Sequence, residues 1–333
     1  MGRIFKRIDW VSGICILCLA SFGLFLLLTV DQTLFLQQLL FLVIALLFLV
    51  GISLIDWTLL WWMAPAGYVG SILFLFLSYF GPSILARFLT QYSPRNVRFV
   101  PLHMILFLIP FFLVLKQPDL GSSLVYGGLW ISMLVASGFP FGFLVVFVAL
   151  GALLLPFGWH ALAVYQKSRI LTFLNPALDP RGAGYNALQA MIAVGSGQLF
   201  GRGLGRGTQS HLRFLPEFHT DFMFATLIEE LGFVGGALLL AGYGFLLWRI
   251  LSPLVRGSIT DAFPFIYSIG LFATILTQIF INTGMNMGLI PITGITLPFV
   301  SYGGSSLLSL AISFGFLWAL QQQKRQRTDI AIR

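Results

Sequence analysis

Residues 214–232, which read FLPEFHTDFMFATLIEELG, place Asp221, Glu229 and Glu230 in one apolar segment. Asp221 stands where the segment begins, and on a helix Glu229 and Glu230 lie about two turns further along. A charge buried in lipid is costly, so ionisable residues at such depth indicate a functional site. A loop rich in glycine and arginine comes just before this segment. An acid beside a basic loop at a membrane surface indicates chemistry on a phosphorylated lipid.

The composition is that of a polytopic membrane protein. Of the 333 residues, 58% are hydrophobic, the mean hydropathy is +0.94 and only 9% are charged, against ~25% in soluble domains. The net charge of +8 lies mostly at predicted membrane edges, so it indicates orientation and not nucleic-acid binding. Cys15 and Cys18 lie inside the first apolar stretch, where packing is a better interpretation than a redox or metal pair.

Charge-free stretches predict an all-α polytopic membrane protein with about ten transmembrane helices. The first stretch is too long for a signal peptide and has no A-x-A cleavage site, so it is interpreted as a transmembrane helix. The whole chain, 1–333, is expected to form one integral membrane domain with a large extracytoplasmic loop between helices 7 and 8 at 159–219 and a cytoplasmic tail at 321–333. The predicted spans are 10–30, 33–55, 58–79, 82–92, 99–116, 120–137, 140–158, 221–248, 262–284 and 298–320.

The distribution of basic residues supports ten spans with both termini in the cytoplasm. The span at 82–92 is short and carries Arg87. Without this span, however, the later basic clusters would be placed on the outer side of the membrane. Six of the seven Lys and Arg on the outer side fall within 159–219, and two interpretations remain open. The loop is attracted to anionic headgroups, or it binds an anionic substrate. The four inner clusters are Arg3/Lys6/Arg7, Arg87/Arg95/Arg98, Arg249/Arg256 and Lys324/Arg325/Arg327/Arg333.

The outer loop contains GSGQLFGRGLGRGTQ at 195–209, in which Arg202 and Arg206 alternate with glycines. Glycine lets backbone N–H groups approach an anion, and arginine supplies forked donors. A flexible linker is the alternative, but the adjoining acid favours a phosphate cradle. No βαβ pattern surrounds the glycines, which argues against a dinucleotide site.

Asp221 could cap a helix instead of taking part in catalysis. That role does not explain Glu229 and Glu230, which are expected to pair within the helix bundle while Asp221 faces an aqueous cavity. Two further segments look irregular: residues 116–121, where a proline interrupts an outer membrane edge, and 282–304, interpreted as a partly re-entrant outer loop. His103, His160 and His211 show no metal-ligand spacing.

One carboxylate among many cations suits sugar transfer from a polyprenyl pyrophosphate. Pyrophosphate leaves readily when cations stabilise it, and a single base can deprotonate the attacking hydroxyl. A glycosidase, in contrast, usually needs two carboxylates.

Four segments resemble the SEDS family (shape, elongation, division and sporulation), whose best-known members are RodA and FtsW. They are LKQPDLGSSL at 115–124, RILTFLNPALDPRGAGYNALQAMIAVGSGQLFGRGLGRGTQ at 169–209, FLPEFHTDFMFATLIEELGFVGG at 214–236 and NTGMNMGLIPITGITLPFVSYGGSSLL at 282–308. The resemblance implies a ten-helix peptidoglycan glycosyltransferase that polymerises lipid II outside the bacterial cytoplasmic membrane. It also implies a class B penicillin-binding protein as partner, beside lipid II, the growing glycan strand and membrane lipids, and no nucleic acid. The details GTQS, GYN and GMNMG are most similar to the RodA branch, which serves cell elongation and rod shape.

The family's essential acid, the Asp of HTDF, falls on Asp221. No cofactor is certain, and whether a divalent cation, Mg²⁺ or Mn²⁺, joins Asp221 is left open. Glu229 and Glu230 are assigned as structural acids. The predicted substrate-binding residues are Lys116, Asp119, Arg169, Arg202, Arg206, Gln209, Glu217 and His219, with Lys116, Arg169, Arg202 and Arg206 as the pyrophosphate ligands.

The N-terminal third departs from the family pattern. An outer segment resembling G-[AS]-x-R-W-I is missing, and in GPSILARF at 81–88 Ile84 stands for the usual Glu and Arg87 for the usual Lys. Three alternatives remain: a flippase for lipid-linked precursors, a non-catalytic scaffold, and an FtsW-like division or sporulation paralogue. A flippase should also present an anion site on the inner side, and a scaffold does not need Asp221.

Overall fold

The computed structural model describes residues 9–55, 77–116, 119–140, 142–146, 149, 153, 160, 162–180, 182–259 and 261–331. The described residues are helical, with irregular connections and no strand. In chain order the helices are α1 (Trp10–Val30), α2 (Gln32–Ser53), α3 (Leu77–Gln91), α4 (Val100–Lys116), α5 (Leu120–Ala136), α6 (Val164–Leu174), α7 (Ala183–Ser196), α8 (Thr208–His211), α9 (Met223–Val255), α10 (Ala262–Asn286) and α11 (Gly304–Ala331), with 3-10 turns at Val97–Phe99 and Pro176–Leu178.

The predicted fold class, an all-α polytopic membrane protein, is confirmed. Five described segments are long and apolar enough to cross a bilayer, namely α1, α2, α9, α10 and Gly304–Gln321 of α11, and α4 and α5 are shorter apolar helices. Eight of the ten predicted spans coincide with helices α1–α5 and α9–α11. The predicted spans at 58–79 and 140–158 lie largely outside the described residues.

Small residues allow the helices to pack closely. This is expected in a membrane, where lipid is as apolar as the side chains and helix association depends on close packing contacts. A Cβ on Gly270 of α10 would lie 2.6 Å from the sulfur of Met133 on α5, and one on Gly315 of α11 would lie 2.8 Å from the Leu49 carbonyl of α2. Phe107 and Trp130 stack with ring centroids 4.3 Å apart and join α4 to α5. These contacts belong to one continuous apolar core.

Helix α9 is interrupted at Gly232, whose φ of 70° and ψ of −169° are not helical. The chain at 198–203 hydrogen-bonds into the break from both sides. The N–H groups of Phe233 and Val234 donate to the carbonyls of Gln198 and Leu199 at 2.9 and 3.1 Å, and the Gly203 N–H donates to the Glu230 carbonyl at 3.0 Å. Since 33 residues of helix would be about 50 Å long, more than the ~30 Å hydrocarbon core, the part after Gly232 can span the membrane without the glutamates.

Two helix boundaries differ from the sequence prediction. Helix α10 continues to Asn286 and α11 begins at Gly304, so the irregular segment is 287–303 and the last span does not start at 298. This segment is buried at Leu297, Phe299 and Val300, in keeping with a chain that folds back among the helices.

The region predicted as the large loop at 159–219 contains the helices α6, α7 and α8. The sequence did not predict these three helices, because short helices interrupted by Gly, Pro and Arg give no long apolar run. Helix α7 packs on α9 through Ala190 and Ala193, which share an apolar cluster with Leu215 and Phe222.

The two ends of the bundle are marked by side-chain contacts. Arg249, late in α9, binds the Asp9 carboxylate ahead of α1 at 2.6 Å. At the opposite end, the Tyr302 hydroxyl donates to Gln37 near the start of α2 at 2.6 Å. Asp221 precedes α9 and therefore lies at the second end, together with α6 to α8.

Candidate active site

Asp221 sits in a tight turn that comes just before α9. Glu217 has a φ of 54°, and its carbonyl accepts the N–H groups of Thr220 at 3.1 Å, Asp221 at 3.2 Å and Phe222 at 3.4 Å. The N-cap position of α9 is Phe222, and no side chain caps the helix. The capping interpretation of Asp221 therefore has no geometric support, and its carboxylate is left for another role.

Two buried asparagines hold the backbone of Asp221 from α10. The side-chain amides of Asn282 and Asn286 each donate to the Asp221 carbonyl at 3.0 Å. The side-chain oxygen of Asn286 accepts the Ala225 N–H at 3.1 Å, which satisfies one of the orphan donors in the first turn of α9. Both asparagines have no exposed surface, so they form a rigid support for the acid.

The irregular segment 287–303 holds the other side of the same turn. The Ser301 hydroxyl donates to the Thr220 carbonyl at 2.6 Å, and the Tyr302 N–H donates to the His219 carbonyl at 2.8 Å. Gln38 of α2 fixes this segment by donating to the Ser301 carbonyl at 3.2 Å. Three consecutive residues, 219–221, are thereby held by elements far apart in sequence.

Arg169 and Asp119 face Asp221 from α6 and from the start of α5. The Arg169 guanidinium donates to the Thr293 carbonyl at 3.4 Å, and a Cβ on Gly294, the next residue, would lie 3.5 Å from the Asp221 carboxylate. Asp119 caps α5 through the Ser122 N–H at 2.8 Å. Within the described ranges, Arg169 has no carboxylate at ion-pair distance, so its charge faces the site.

Burial raises the pKa of the Asp221 carboxyl above its ordinary value. The Glu217 carboxylate raises this pKa further, while the Thr220 hydroxyl and the Arg169 guanidinium lower it and Asp119 raises it slightly. A carboxylate with a raised pKa is a better proton acceptor, provided that the pH keeps it ionised.

His219 and Glu217 line the approach to Asp221. The His219 ring lies 5.4 Å from that of Tyr302, centroid to centroid, and its Nε2 is 3.9 Å from the Glu217 carboxylate. Burial lowers the pKa of His219, with smaller opposing effects of Glu217 and Asp31, which favours a neutral ring. Its Nδ1 is buried without a hydrogen-bond partner among the described residues.

Glu229 and Glu230 bind α8 and the glycine-rich loop. Glu229 accepts the Gln209 N–H at 3.0 Å and the Thr208 hydroxyl at 3.2 Å. Glu230 accepts the Gly205 N–H at 3.2 Å and lies 3.0 Å from the His211 ring. Both carboxylates are fully buried and fasten α8 and the glycine-rich loop to α9.

The same bonds change the interpretation of the loop as a phosphate cradle. Arg202, Gly203, Gly205 and Gln209 already donate their backbone N–H groups to Glu229 and Glu230. The exposed guanidinium groups of Arg202 and Arg206 are what the loop can still offer an anion. Arg202 itself reaches Thr208 at 3.1 Å.

The structure brings part of the predicted site together. Asp119, Arg169, Glu217, His219 and Asp221 converge at one place. Lys116 is exposed at the end of α4, where α6 docks through the Gln166 amide donating to the Leu115 carbonyl at 3.4 Å. A second group lies beside Glu229, about 12 Å from Asp221 along the helix axis, and it comprises Arg202, Arg206 and Gln209.

Sequence reasoning missed Asn282, Asn286 and Ser301. The signal was present, because two asparagines four residues apart lie on one face of a helix, and polar groups at such positions indicate function. In the part of the chain that the structure describes, no three His, Cys, Asp or Glu side chains are grouped as metal ligands.

Comparisons with known proteins agree with this architecture. The profile of the FtsW/RodA/SpoVE family, described as cell cycle proteins, matches residues 78–326. The chain is similar to the peptidoglycan glycosyltransferase MrdB of Escherichia coli, with 40% identity over 246 residues that cover 73% of this chain and 66% of MrdB. It is equally similar to the stage V sporulation protein E of Bacillus subtilis, with 40% identity over 248 residues, 73% of this chain and 66% of that protein.

The chain thus spans about two thirds of the length of these curated relatives. Among solved structures, it resembles a chain of a peptidoglycan synthase complex that was studied for the coordination of polymerisation and crosslinking. The TM-score is 0.80 with 26% identity, and the match covers 96% of this chain and 98% of that one.

Proposed function

We propose that this chain, which belongs to the FtsW/RodA/SpoVE family of cell cycle proteins, is a peptidoglycan glycosyltransferase that polymerises lipid II on the outer face of the bacterial cytoplasmic membrane. The observation that carries the proposal is the position of Arg169 near Asp221, at the Thr293 carbonyl. One acid with a raised pKa faces one cation that has no carboxylate partner in the described residues. The name of the relative MrdB supports the same reaction.

In the proposed reaction, Asp221 accepts the proton of the acceptor sugar's 4-hydroxyl. The hydroxyl oxygen attacks the anomeric carbon of the donor sugar from the face opposite the pyrophosphate, so the configuration inverts. The bond from that carbon to the pyrophosphate oxygen breaks, and undecaprenyl pyrophosphate leaves with the electron pair. Arg169 stabilises the charge that develops on the leaving group, and Arg202, Arg206 and Lys116 are proposed as further cations along the pyrophosphate path.

The turn at 217–222 contributes pre-organisation. A base that is held by Asn282, Asn286 and Ser301 before substrate arrives loses little freedom in the transition state. Glu217 and His219 are proposed to orient the sugars, and Asp119 and Gln209 to contact the substrate. A divalent cation, if one binds, would add positive charge at the pyrophosphate.

We also propose a place for the enzyme in the cell. The motifs of the RodA branch favour cell elongation, with both termini in the cytoplasm and a class B penicillin-binding protein as partner that crosslinks the new strand. The resemblance to a chain of a peptidoglycan synthase complex supports such a partner.

One assay tests the proposal. The purified full-length chain, alone and with a class B penicillin-binding protein whose transpeptidase is inactivated, receives labelled lipid II, and the products are separated by length. We expect ladders of glycan chains. If both samples leave lipid II unpolymerised but the chain moves it across vesicle membranes, the flippase alternative is correct.

A further inference from the structure

A groove lies next to the proposed active site, and the proposed mechanism gives its apolar side chains no role. It lies between α6, α7 and residues 285–292, and it encloses about 400 Å³ when the solvent space at its open mouth is included. Arg169 stands at its wall, and that guanidinium also donates to the Thr293 carbonyl beside Asp221. Apart from Thr172, the other side chains that line it are apolar, including Phe173, Met191, Met285 and Ile290.

The groove exists because small residues face it from α7. Ala183 and Ala187 line it together with Met191, and the spacing of four residues places all three on one face of the helix. On the other side, Gly288 has a φ of 70°, and a Cβ there would collide with the Met191 side chain. Larger residues at positions 183 and 187 would fill the groove.

Three residues that follow lining residues in the sequence are apolar and exposed. Leu174 of α6 is 72% exposed, Ile192 of α7 is 49% exposed and Leu289 of the neighbouring segment is 66% exposed. Short helices with such a face lie in the membrane interface. The groove therefore lies between an exposed apolar surface and the Arg169 guanidinium.

We propose that this groove holds the first isoprene units of the substrate's prenyl chain while Arg169 holds the pyrophosphate to which the chain is attached. The occupant follows from the two chemistries that meet there: an anion for the guanidinium and a hydrocarbon for the apolar wall. Because Arg169 stands at the wall of the groove, the part of a prenyl chain that reaches the groove is the part next to the pyrophosphate. The inference rests on the proposed function, from which it takes the substrate class.

Binding of two water-soluble probes to the full-length chain tests the inference without polymerisation. The probes are inorganic pyrophosphate and farnesyl pyrophosphate. Because burial of each methylene group adds to affinity, we expect the wild-type chain to bind farnesyl pyrophosphate roughly tenfold or more tightly than pyrophosphate. Ala187→Trp, which fills the groove, should remove that advantage and leave pyrophosphate binding unchanged, whereas Arg169→Gln should weaken both probes.

Leu188→Trp is the matched control, because Leu188 is the next residue on α7 and 43% exposed. It should keep the wild-type preference. In a second measurement that needs no variant, a photoreactive farnesyl pyrophosphate should label peptides from 183–191 or 285–292 of the wild-type chain. Equal affinity of the wild-type chain for both probes, a preference that survives Ala187→Trp, or labelling confined to other peptides overturns the inference. Prenyl selectivity in a chain that does not polymerise lipid II would instead overturn only the proposed function.

Discussion

The side-chain amide of Asn286 donates to the backbone carbonyl of Asp221 at 3.0 Å, across 65 residues of sequence. The same side chain accepts the Ala225 N–H. Through these two bonds, α10 fixes both the acid and the first turn of α9, so the position of the proposed base depends on a helix that does not carry it.

Replacing Asn286 by leucine should separate positioning from binding. We expect kcat to fall about tenfold or more, since displacement of a catalytic group by about 1 Å can cost ~10²-fold, with KM for lipid II little changed. The unsatisfied Ala225 N–H should lower the unfolding free energy by ~1–3 kcal/mol. Thr283→Val is the control, because its hydroxyl binds the Ile279 and Phe280 carbonyls, both in its own helix. An equal loss of kcat in both variants would contradict the positioning role.

Asp221→Asn tests the acid itself. The amide keeps the size of the side chain but cannot accept the proton, so polymerisation should fall by ~10²–10⁴-fold. Insertion into the membrane and thermal stability should stay near wild type, because Asp221 caps no helix. Initial rates with labelled lipid II measure the effect, and a variant that retains more than about a tenth of the wild-type rate would exclude general-base catalysis by this residue.

The pH dependence of kcat/KM should respond in opposite directions to two neighbours of Asp221. Activity requires the ionised carboxylate, so it rises as the pH passes through the pKa of Asp221. Glu217 raises this pKa and Arg169 lowers it. Glu217→Gln should therefore move the acidic limb of the pH profile of kcat/KM to lower pH. Arg169→Gln should move the same limb to higher pH, whatever the effect of either substitution on the maximal rate. Shifts of the same sign would show that another group controls the limb.

Simultaneous replacement of Arg202 and Arg206 by glutamine tests the cations of the glycine-rich loop. A hydrogen bond to a charged group is worth ~1.5–3 kcal/mol, so kcat/KM should fall at least about tenfold if these residues bind pyrophosphate. The loop itself should survive, because backbone bonds to Glu229 and Glu230 hold it. Arg213→Gln, another exposed arginine of the outer region, is the control for net charge. Unchanged kinetics of the double variant would make the loop a connector only.

Cysteine labelling in intact cells tests the topology. Ser210 is fully buried, whereas Leu212 is 64% exposed, so Leu212→Cys is the better reporter for the outer side and Thr328→Cys for the tail. Both are made after replacement of Cys15 and Cys18. The positive-inside rule predicts that an impermeant reagent labels position 212 and not position 328. Labelling of position 328 from outside would contradict ten spans with an inner N-terminus.

What the sequence by itself determined is the set of features that depend on local composition. Apolar stretches of about 20 residues fixed the described transmembrane helices, because the bilayer requires that length. The acid just before α9 could also be identified from the sequence alone, since an ionisable residue next to an apolar run is costly and indicates a function.

Only the tertiary structure decided how the acid is held. Asn282 and Asn286 reach Asp221 across more than 60 residues, and residues 198–203 enter the break at Gly232 across about 30. Such bonds depend on which helices are neighbours, and no local pattern specifies that. Helices α6 and α7 were missed for a related reason: they gain stability by packing on α9 and the segment after α10, so their own sequences need not carry a long apolar period.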